Sequence, residues 1–147
     1  MILAVGFLVM SGCLAFQVLA SAVAARYFAR AAGRPAGSRP WVAVSIQFSV
    51  VMIVLTLGNV VQISIWALLY RALGALGDWT TALYFSGVTF TTLGYGDVVL
   101  HDRMRLLAPL QAANGVMMFG ITTAVFMATV QRAIANWSER HPPTAVE

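Results

Sequence analysis

Three long stretches of the chain are strongly apolar and contain no charged residue: residues 1–25, 41–70 and 106–131. A helix needs about 20 residues to cross the hydrocarbon core of a bilayer, and each stretch is long enough to do so. Pro109 falls in the first turn of the third stretch, where a helix tolerates proline. The pattern predicts an all-α integral membrane protein with three transmembrane helices.

A shorter apolar segment lies between the second and third spans. Its helical part, residues 79–91, is too short to cross the bilayer. Asp78 is a favourable N-cap for this helix, and Gly94 and Gly96 prevent its regular continuation. We therefore expect a re-entrant helix, which enters and leaves the membrane on one side, followed by an irregular loop at residues 92–97.

Basic residues are concentrated in the segments that follow the first and third spans. Residues 26–40 form a basic linker whose glycines and prolines indicate a turn, and in the tail, residues 132–147, Pro142-Pro143 ends the helix. These two segments contain Arg26, Arg30, Arg34, Arg39, Arg132 and Arg140. The positive-inside rule predicts that both are cytoplasmic. The N-terminus and the re-entrant segment would then lie on the outer side of the cell membrane.

Composition supports a membrane protein and argues against other classes. Hydrophobic residues make up 60% of the chain and charged residues only 10%, with a mean hydropathy of +0.82. The net charge of +4 comes from arginines beside the spans, so it indicates membrane orientation rather than nucleic-acid binding. The single cysteine, Cys13, excludes an intrachain disulfide. No arrangement of catalytic side chains indicates an enzyme, and no span carries the regularly spaced arginines of a voltage sensor.

The first span has a second interpretation as a cleaved signal peptide, because small residues gather near its end. No positive segment precedes it, however, and the arginines follow it. Cleavage would leave four arginines to be translocated, so we expect a retained helix.

The loop at residues 92–97 suits a backbone whose carbonyl oxygens line one axis. Successive carbonyls can do so only if the chain repeatedly leaves ordinary α or β geometry, and Gly94 and Gly96 accept positive φ without strain. Thr92 adds a hydroxyl below these carbonyls. Leu93 and Tyr95 would point away from the axis and wedge the loop against the short helix.

Residues 84–97, with the sequence YFSGVTFTTLGYGD, resemble the pore loop of the potassium-channel superfamily. The resemblance extends over residues 41–131, which look like the superfamily's outer helix–pore–inner helix module. In these terms the outer helix is residues 41–70, the pore helix 79–91, the selectivity filter 92–97 and the inner helix 106–131. The first span, residues 1–25, lies outside this minimal module.

The resemblance implies a potassium-selective channel that conducts passively as a homotetramer in membrane lipid. In such filters, rings of backbone carbonyls replace the hydration shell of the ion. The implied ion-binding residues are Thr92, Leu93, Gly94, Tyr95 and Gly96, with K⁺ held at the first four. One chain supplies one wall of the ring, so four are needed. No cofactor is implied apart from the permeant K⁺ ions.

The sequence departs from many relatives beside the filter. Leu93 stands where many have Val, a mild change because its carbonyl matters more than its side chain. Some relatives place Glu at Val88, or Trp at Tyr84, to pair with the filter aspartate. Val88 cannot pair, so we expect the Tyr84 hydroxyl to bond Asp97 at the outer mouth.

The third span contains residues to which the resemblance gives a role in gating or in the cavity. A hinge is implied at Gly120 or Gly115, with close helix packing as the alternative. Thr122, Thr123, Ala124 and Ala128 are candidates to line the cavity below the filter. The alternative for the threonines is a hydrogen bond to their own helix backbone.

Uncharged polar residues also lie at membrane depth. They are Gln47, Asn59 and Gln62 in the second span and Asn114 in the third. We expect them to join helices by hydrogen bonds.

Two alternative functions remain open from the sequence. The first is a weakly selective cation channel with the same architecture, which differs in its flux of Na⁺ relative to K⁺. The second is a non-conducting membrane subunit of a larger channel, which would give no flux alone and a stoichiometry other than four.

Overall fold

The computed structural model of the chain describes residues 1–32 and 40–140. Within these residues, four α-helices and one 3₁₀ turn follow in order: α1 (Ile2–Ala32), α2 (Pro40–Ala72), α3 (Trp79–Phe90), the turn Asp102–Leu106, and α4 (Leu107–Arg140). The described residues contain no β-strand. Helices α1, α2 and α4 are long and apolar enough to cross a membrane. The predicted all-α membrane fold with three spans is confirmed.

Helices α1 and α4 extend beyond the uncharged stretches. α1 continues to Ala32, past Arg26 and Arg30, and α4 continues to Arg140. Arginine is a good helix former and no proline interrupts these extensions. Both helices therefore continue beyond the apolar segments that suit lipid. The turn predicted in the linker, at residues 33–39, and the helix end predicted at residues 142–143 lie outside the described residues.

Two apolar clusters define how the long helices run. The first joins Cys13 of α1 to Trp66 of α2 and Leu107 of α4. The second joins Phe28 of α1 to Val51 of α2, with Val125 of α4 beside them. The early part of α1 therefore lies beside the late part of α2 and the start of α4. Accordingly α2 runs antiparallel to both other spans, and the arginine-bearing ends of α1 and α4 lie at one end of the bundle.

Hydrogen bonds inside the bundle connect α1 to the other two spans. The Gln62 Nε2 atom donates to Gln17 Oε1 at 2.7 Å, and Gln17 Nε2 donates to Thr122 Oγ1 at 3.2 Å. Gln62 thus joins helices as predicted, and Gln17 is a partner that the sequence did not single out. By contrast, Asn114 is fully buried and its amide atoms have no hydrogen-bond partner among the described residues.

Candidate functional site

The short helix α3 begins at a side-chain cap. Asp78 Oδ2 accepts hydrogen bonds from the Thr81 backbone N–H at 2.9 Å and from the Thr81 hydroxyl at 3.2 Å. The backbone bond from Thr81 holds the pKa of Asp78 below its usual value, so the cap is a carboxylate at neutral pH. The guanidinium of Arg71, at the end of α2, lies 5.8 Å from the ring centroid of Trp79. These contacts fix where α3 starts relative to α2.

A buried hydrogen-bond network holds the middle of α3 between α2 and α4. Gln111 Nε2 donates to the Ser86 hydroxyl at 2.6 Å and to the Ser86 carbonyl at 3.1 Å. The Ser86 hydroxyl donates to the Ile63 carbonyl at 2.7 Å, and the Tyr70 hydroxyl donates to Gln111 Oε1 at 2.6 Å. Ser86, Gln111 and Tyr70 are all fully buried. The network therefore fixes the position of α3 along the axes of α2 and α4.

We expect Gln111→Leu to destabilise the fold by roughly 1–3 kcal/mol, because the buried Tyr70 hydroxyl would lose its partner, whereas the Ser86 hydroxyl would keep its bond to the Ile63 carbonyl. The thermal loss of helical circular dichroism in detergent measures the effect. Gln131→Leu, at an exposed position of the same helix, is the matched control. Equal melting temperatures for the two variants would contradict the role of the network.

The chain leaves α3 through a turn that aims backbone N–H groups at the helix. The Val88 carbonyl accepts from the N–H of Leu93 at 2.9 Å and from the N–H of Gly94 at 3.4 Å. The N–H and C=O of a trans peptide point in opposite directions, so the carbonyls of Thr92 and Leu93 are turned away from α3. No hydrogen bond found among the described residues is donated to a carbonyl oxygen of residues 92–96.

The backbone of the loop alternates in its handedness. The φ angle is +61° at Thr92, +57° at Gly94 and +81° at Gly96, whereas Leu93 and Tyr95 do not have positive φ. The two glycines have the conformation expected from their lack of a Cβ atom. Thr92 is a β-branched residue in the left-handed region, which is a strained conformation that the sequence did not signal. We call residues 92–97 the candidate filter.

The end of α3 is also supported by the close approach of α4. A Cβ atom placed on Gly115 would lie 1.9 Å from the Phe90 carbonyl oxygen, so only glycine fits there. The rings of Phe90 and Phe119 make an edge-to-face contact with centroids 5.7 Å apart. Gly115 thus supports the packing interpretation. Gly120 has open space around it within the chain, and its role as a hinge stays a prediction.

The hydrogen bond expected beside the candidate filter is present. The Tyr84 hydroxyl donates to Asp97 Oδ2 at 2.7 Å. This bond favours the protonated phenol and raises the pKa of Tyr84, so the hydroxyl stays a donor at neutral pH. The contact ties the last residue of the candidate filter to the middle of α3.

The pore-loop resemblance implies ion conduction through the candidate filter, and on that basis we expect Tyr84→Phe to shorten each conducting period, because Asp97 loses its link to α3 while the ring remains. Single-channel burst duration in a planar bilayer measures this effect. Tyr27→Phe, which removes the hydroxyl of an exposed tyrosine on α1, is the control. Unchanged bursts in Tyr84→Phe would show that the bond does not stabilise the loop.

Leu93 and Tyr95 do not wedge the loop against the chain's own short helix. Their side chains are 58% and 69% exposed. The expected packing is wrong for a single chain, because more than half of each side chain is exposed and α3 is engaged by α2 and α4 on its buried side. They therefore form an apolar surface beside the candidate filter.

The structure separates the four residues predicted to line a cavity. Thr123, Ala124 and Ala128 lie on an exposed face of α4. Thr122 is buried and accepts the hydrogen bond from Gln17. The cavity-lining interpretation therefore does not fit Thr122, whose hydroxyl serves the contact between α4 and α1.

The family comparison matches the region that contains these contacts. A family model described as "Ion channel" matches residues 49–132, which is more than half of the chain. Comparisons with curated proteins and with solved structures gave no match. The matched range includes most of α2, all of α3, the candidate filter and α4 as far as Arg132. The chain therefore belongs to this ion channel family, as a member of the potassium-channel-like superfamily that its pore-loop sequence resembles.

Proposed function

We propose that this ion channel is selective for K⁺ and conducts it passively as a homotetramer in the cell membrane. The observation that carries the proposal is the backbone of the candidate filter. Its φ angles alternate in sign, and its carbonyls accept no hydrogen bond from the described residues. Carbonyls left without donors, two of which (Thr92 and Leu93) are turned away from α3, suit the coordination of a cation.

In this proposal, conduction exchanges the water oxygens around the ion for carbonyl oxygens of the pore. A cation in hydrocarbon is strongly destabilised, so the pore must supply oxygens in place of water. We assign this role to the carbonyls of residues 92–96, with K⁺ at Thr92, Leu93, Gly94 and Tyr95. The hydrogen bonds from the N–H groups of Leu93 and Gly94 to the Val88 carbonyl hold the peptides of Thr92 and Leu93, so the carbonyl oxygens of these two residues are oriented before an ion arrives.

Assembly into a tetramer is supported by the exposed surface around the candidate filter. A single chain provides one wall of an ion site, and a closed symmetric ring provides the others. The exposed apolar side chains of Leu93 and Tyr95 would be covered by neighbouring copies in such a ring. The exposed small residues Thr123, Ala124 and Ala128 would then face the central cavity.

Helix α3 supports the same assignment electrostatically. Its C-terminal end precedes the candidate filter and carries a partial negative charge of roughly half an electron. Four such ends directed at one cavity would favour a cation there. Residues 1–25, 41–70 and 106–131 contain no Asp or Glu, which favours passive conduction over proton coupling. The arginines at the shared end of α1 and α4 support a cytoplasmic C-terminus and an outer candidate filter.

Flux through purified protein in liposomes tests the proposal. Vesicles are loaded with either K⁺ or Na⁺, so that the loaded ion has an outward gradient. The uptake of a radioactive K⁺ tracer from outside is then compared between the two kinds of vesicle. We expect uptake only with K⁺. Similar uptake with Na⁺ would indicate the weakly selective cation channel, and no uptake in either case would indicate the non-conducting subunit.

A further inference from the structure

Buried polar side chains line the contact between α1 and the α2–α4 pair. On each helix they fall on one face, at spacings of three, four or eight residues. We call this set the polar seam, and its members are Cys13, Gln17 and Ser21 of α1, Asn59, Gln62 and Trp66 of α2, and Asn114 and Thr122 of α4. Each is at least nine-tenths buried within one chain.

Direct hydrogen bonds satisfy only part of the polar seam. Gln62, Gln17 and Thr122 are joined in a row. Within the described residues, six buried atoms of the seam have no hydrogen-bond partner: Ser21 Oγ, Asn59 Oδ1, Gln62 Oε1, Trp66 Nε1, Asn114 Nδ2 and Asn114 Oδ1. The Cys13 thiol lies beside Asn114 and Trp66, but a thiol is a weak partner for an amide or an indole.

Buried polar groups inside a membrane protein need hydrogen-bond partners. A buried polar atom without a partner is destabilising, and no bulk water exists in the hydrocarbon region to hydrate it from outside. Folded proteins place ordered water on buried polar groups that lack protein partners, and each such water makes two to four hydrogen bonds. The unpartnered atoms of the seam occur on all three spans, so waters among them can bridge from helix to helix.

The chemistry of the unpartnered atoms selects the ligand. Ser21, Trp66 and the Asn114 nitrogen can donate, whereas Asn59, Gln62 and the Asn114 oxygen accept. A metal cation would use only the acceptors and an anion only the donors, and no seam residue carries a charge. A small neutral molecule that both donates and accepts satisfies the whole set. We propose that ordered water molecules occupy the polar seam and bridge α1 to α2 and α4.

This assignment gives α1 a defined relation to the rest of the subunit. Gln17 makes the direct contact with both other spans, and the bridging waters complete the attachment above and below it. The seam lies among three helices of one chain, so this hydrated region is separate from the proposed conduction path. The inference does not depend on K⁺ selectivity or on the number of subunits.

The indole N–H of Trp66 reports on water in the seam. The protein is labelled with ¹⁵N at the tryptophan indoles and reconstituted in bilayers, and solid-state NMR measures magnetisation transfer from water to each indole N–H. Trp66→Phe assigns the signal. Although Trp66 is 0% exposed, we expect a strong water cross-peak at its Nε1. A Trp66 signal without transfer from water would show a dry seam and overturn the proposal.

A matched pair of substitutions on α4 then tests which groups hold the water. Asn114→Leu removes two unpartnered atoms beside the Cys13 thiol, which Trp66 also adjoins, and we expect the water cross-peak to be lost. Met118→Leu changes an equally buried but apolar residue one turn away and should keep the cross-peak. A cross-peak that survives in Asn114→Leu at wild-type intensity would overturn the assignment. If Asn114→Leu fails to fold, the wild-type spectrum still decides between a wet and a dry seam.

Discussion

Gly94→Ala is expected to abolish selective K⁺ flux while leaving the membrane fold intact. Gly94 has φ +57°, and no atom lies within 4 Å of the position of an added Cβ, so the substitution acts through backbone strain alone. The left-handed conformation costs an alanine roughly 1–2 kcal/mol, which is about 4–8 kcal/mol over four proposed subunits. That cost lowers the population of the conducting conformation by more than about a hundredfold, because about 1.4 kcal/mol corresponds to a factor of ten.

Gly74→Ala is the matched control for this prediction. Gly74 lies in the loop after α2, has φ +69°, and also has no atom within 4 Å of an added Cβ. Both variants therefore carry the same kind of strain, and only one carries it in the candidate filter. Liposome flux of K⁺ and Na⁺ compares them. If both variants keep K⁺-selective flux, the assignment of the candidate filter is wrong.

Gly115→Ala is expected to have the second large effect, on assembly as well as on flux. Its Cβ would meet the Phe90 carbonyl oxygen at 1.9 Å, and this neighbour is backbone that cannot rotate away. Overpacking of this kind costs about 1–3 kcal/mol or more in each chain. The strain falls where α3 ends and the candidate filter begins, so a displaced Phe90 also moves the oxygens that we assign to the ion.

The two glycines of α4 provide the comparison. Gly120→Ala meets no atom within 4 Å in the chain and replaces glycine by a better helix former, which stabilises a helix by about 1 kcal/mol. Native mass spectrometry should find the intact assembly for Gly120→Ala and a reduced yield for Gly115→Ala. Similar assembly and flux in the two variants would contradict the close contact of α4 with Phe90. An altered open probability in Gly120→Ala alone would support the hinge at that position.

The sequence was sufficient for those features that depend on local chemistry. Uncharged stretches predicted the three spans, because a charged side chain within the hydrocarbon core is costly on any face of a helix. Asp78 predicted the start of α3, and the two glycines predicted where the backbone turns left-handed. The hydrogen bond between Tyr84 and Asp97 was expected from the resemblance to the potassium-channel superfamily, in which a residue at position 84 or 88 pairs with the filter aspartate, and Val88 cannot pair with a carboxylate.

Features that depend on helix rotation could not be predicted in this way. A helix that is apolar all round gives no periodic signal of which face turns inward. The pairing of Gln17 with Thr122 and of Gln111 with Ser86 depends on that rotation. The sequence therefore could not separate Thr122 from the exposed Thr123 beside it. The close approach that requires Gly115 is likewise visible only once α4 is placed against α3.

The most direct test of the central claim is the position of the ions themselves. Thallous ions resemble K⁺ in size and scatter anomalously, so crystals grown in a thallium salt locate the sites independently of the protein coordinates. We predict a row of anomalous peaks on a four-fold axis, level with the carbonyl oxygens of residues 92–95. Peaks that lie off any such axis, or carbonyls from separate chains that do not converge around one, would contradict the account.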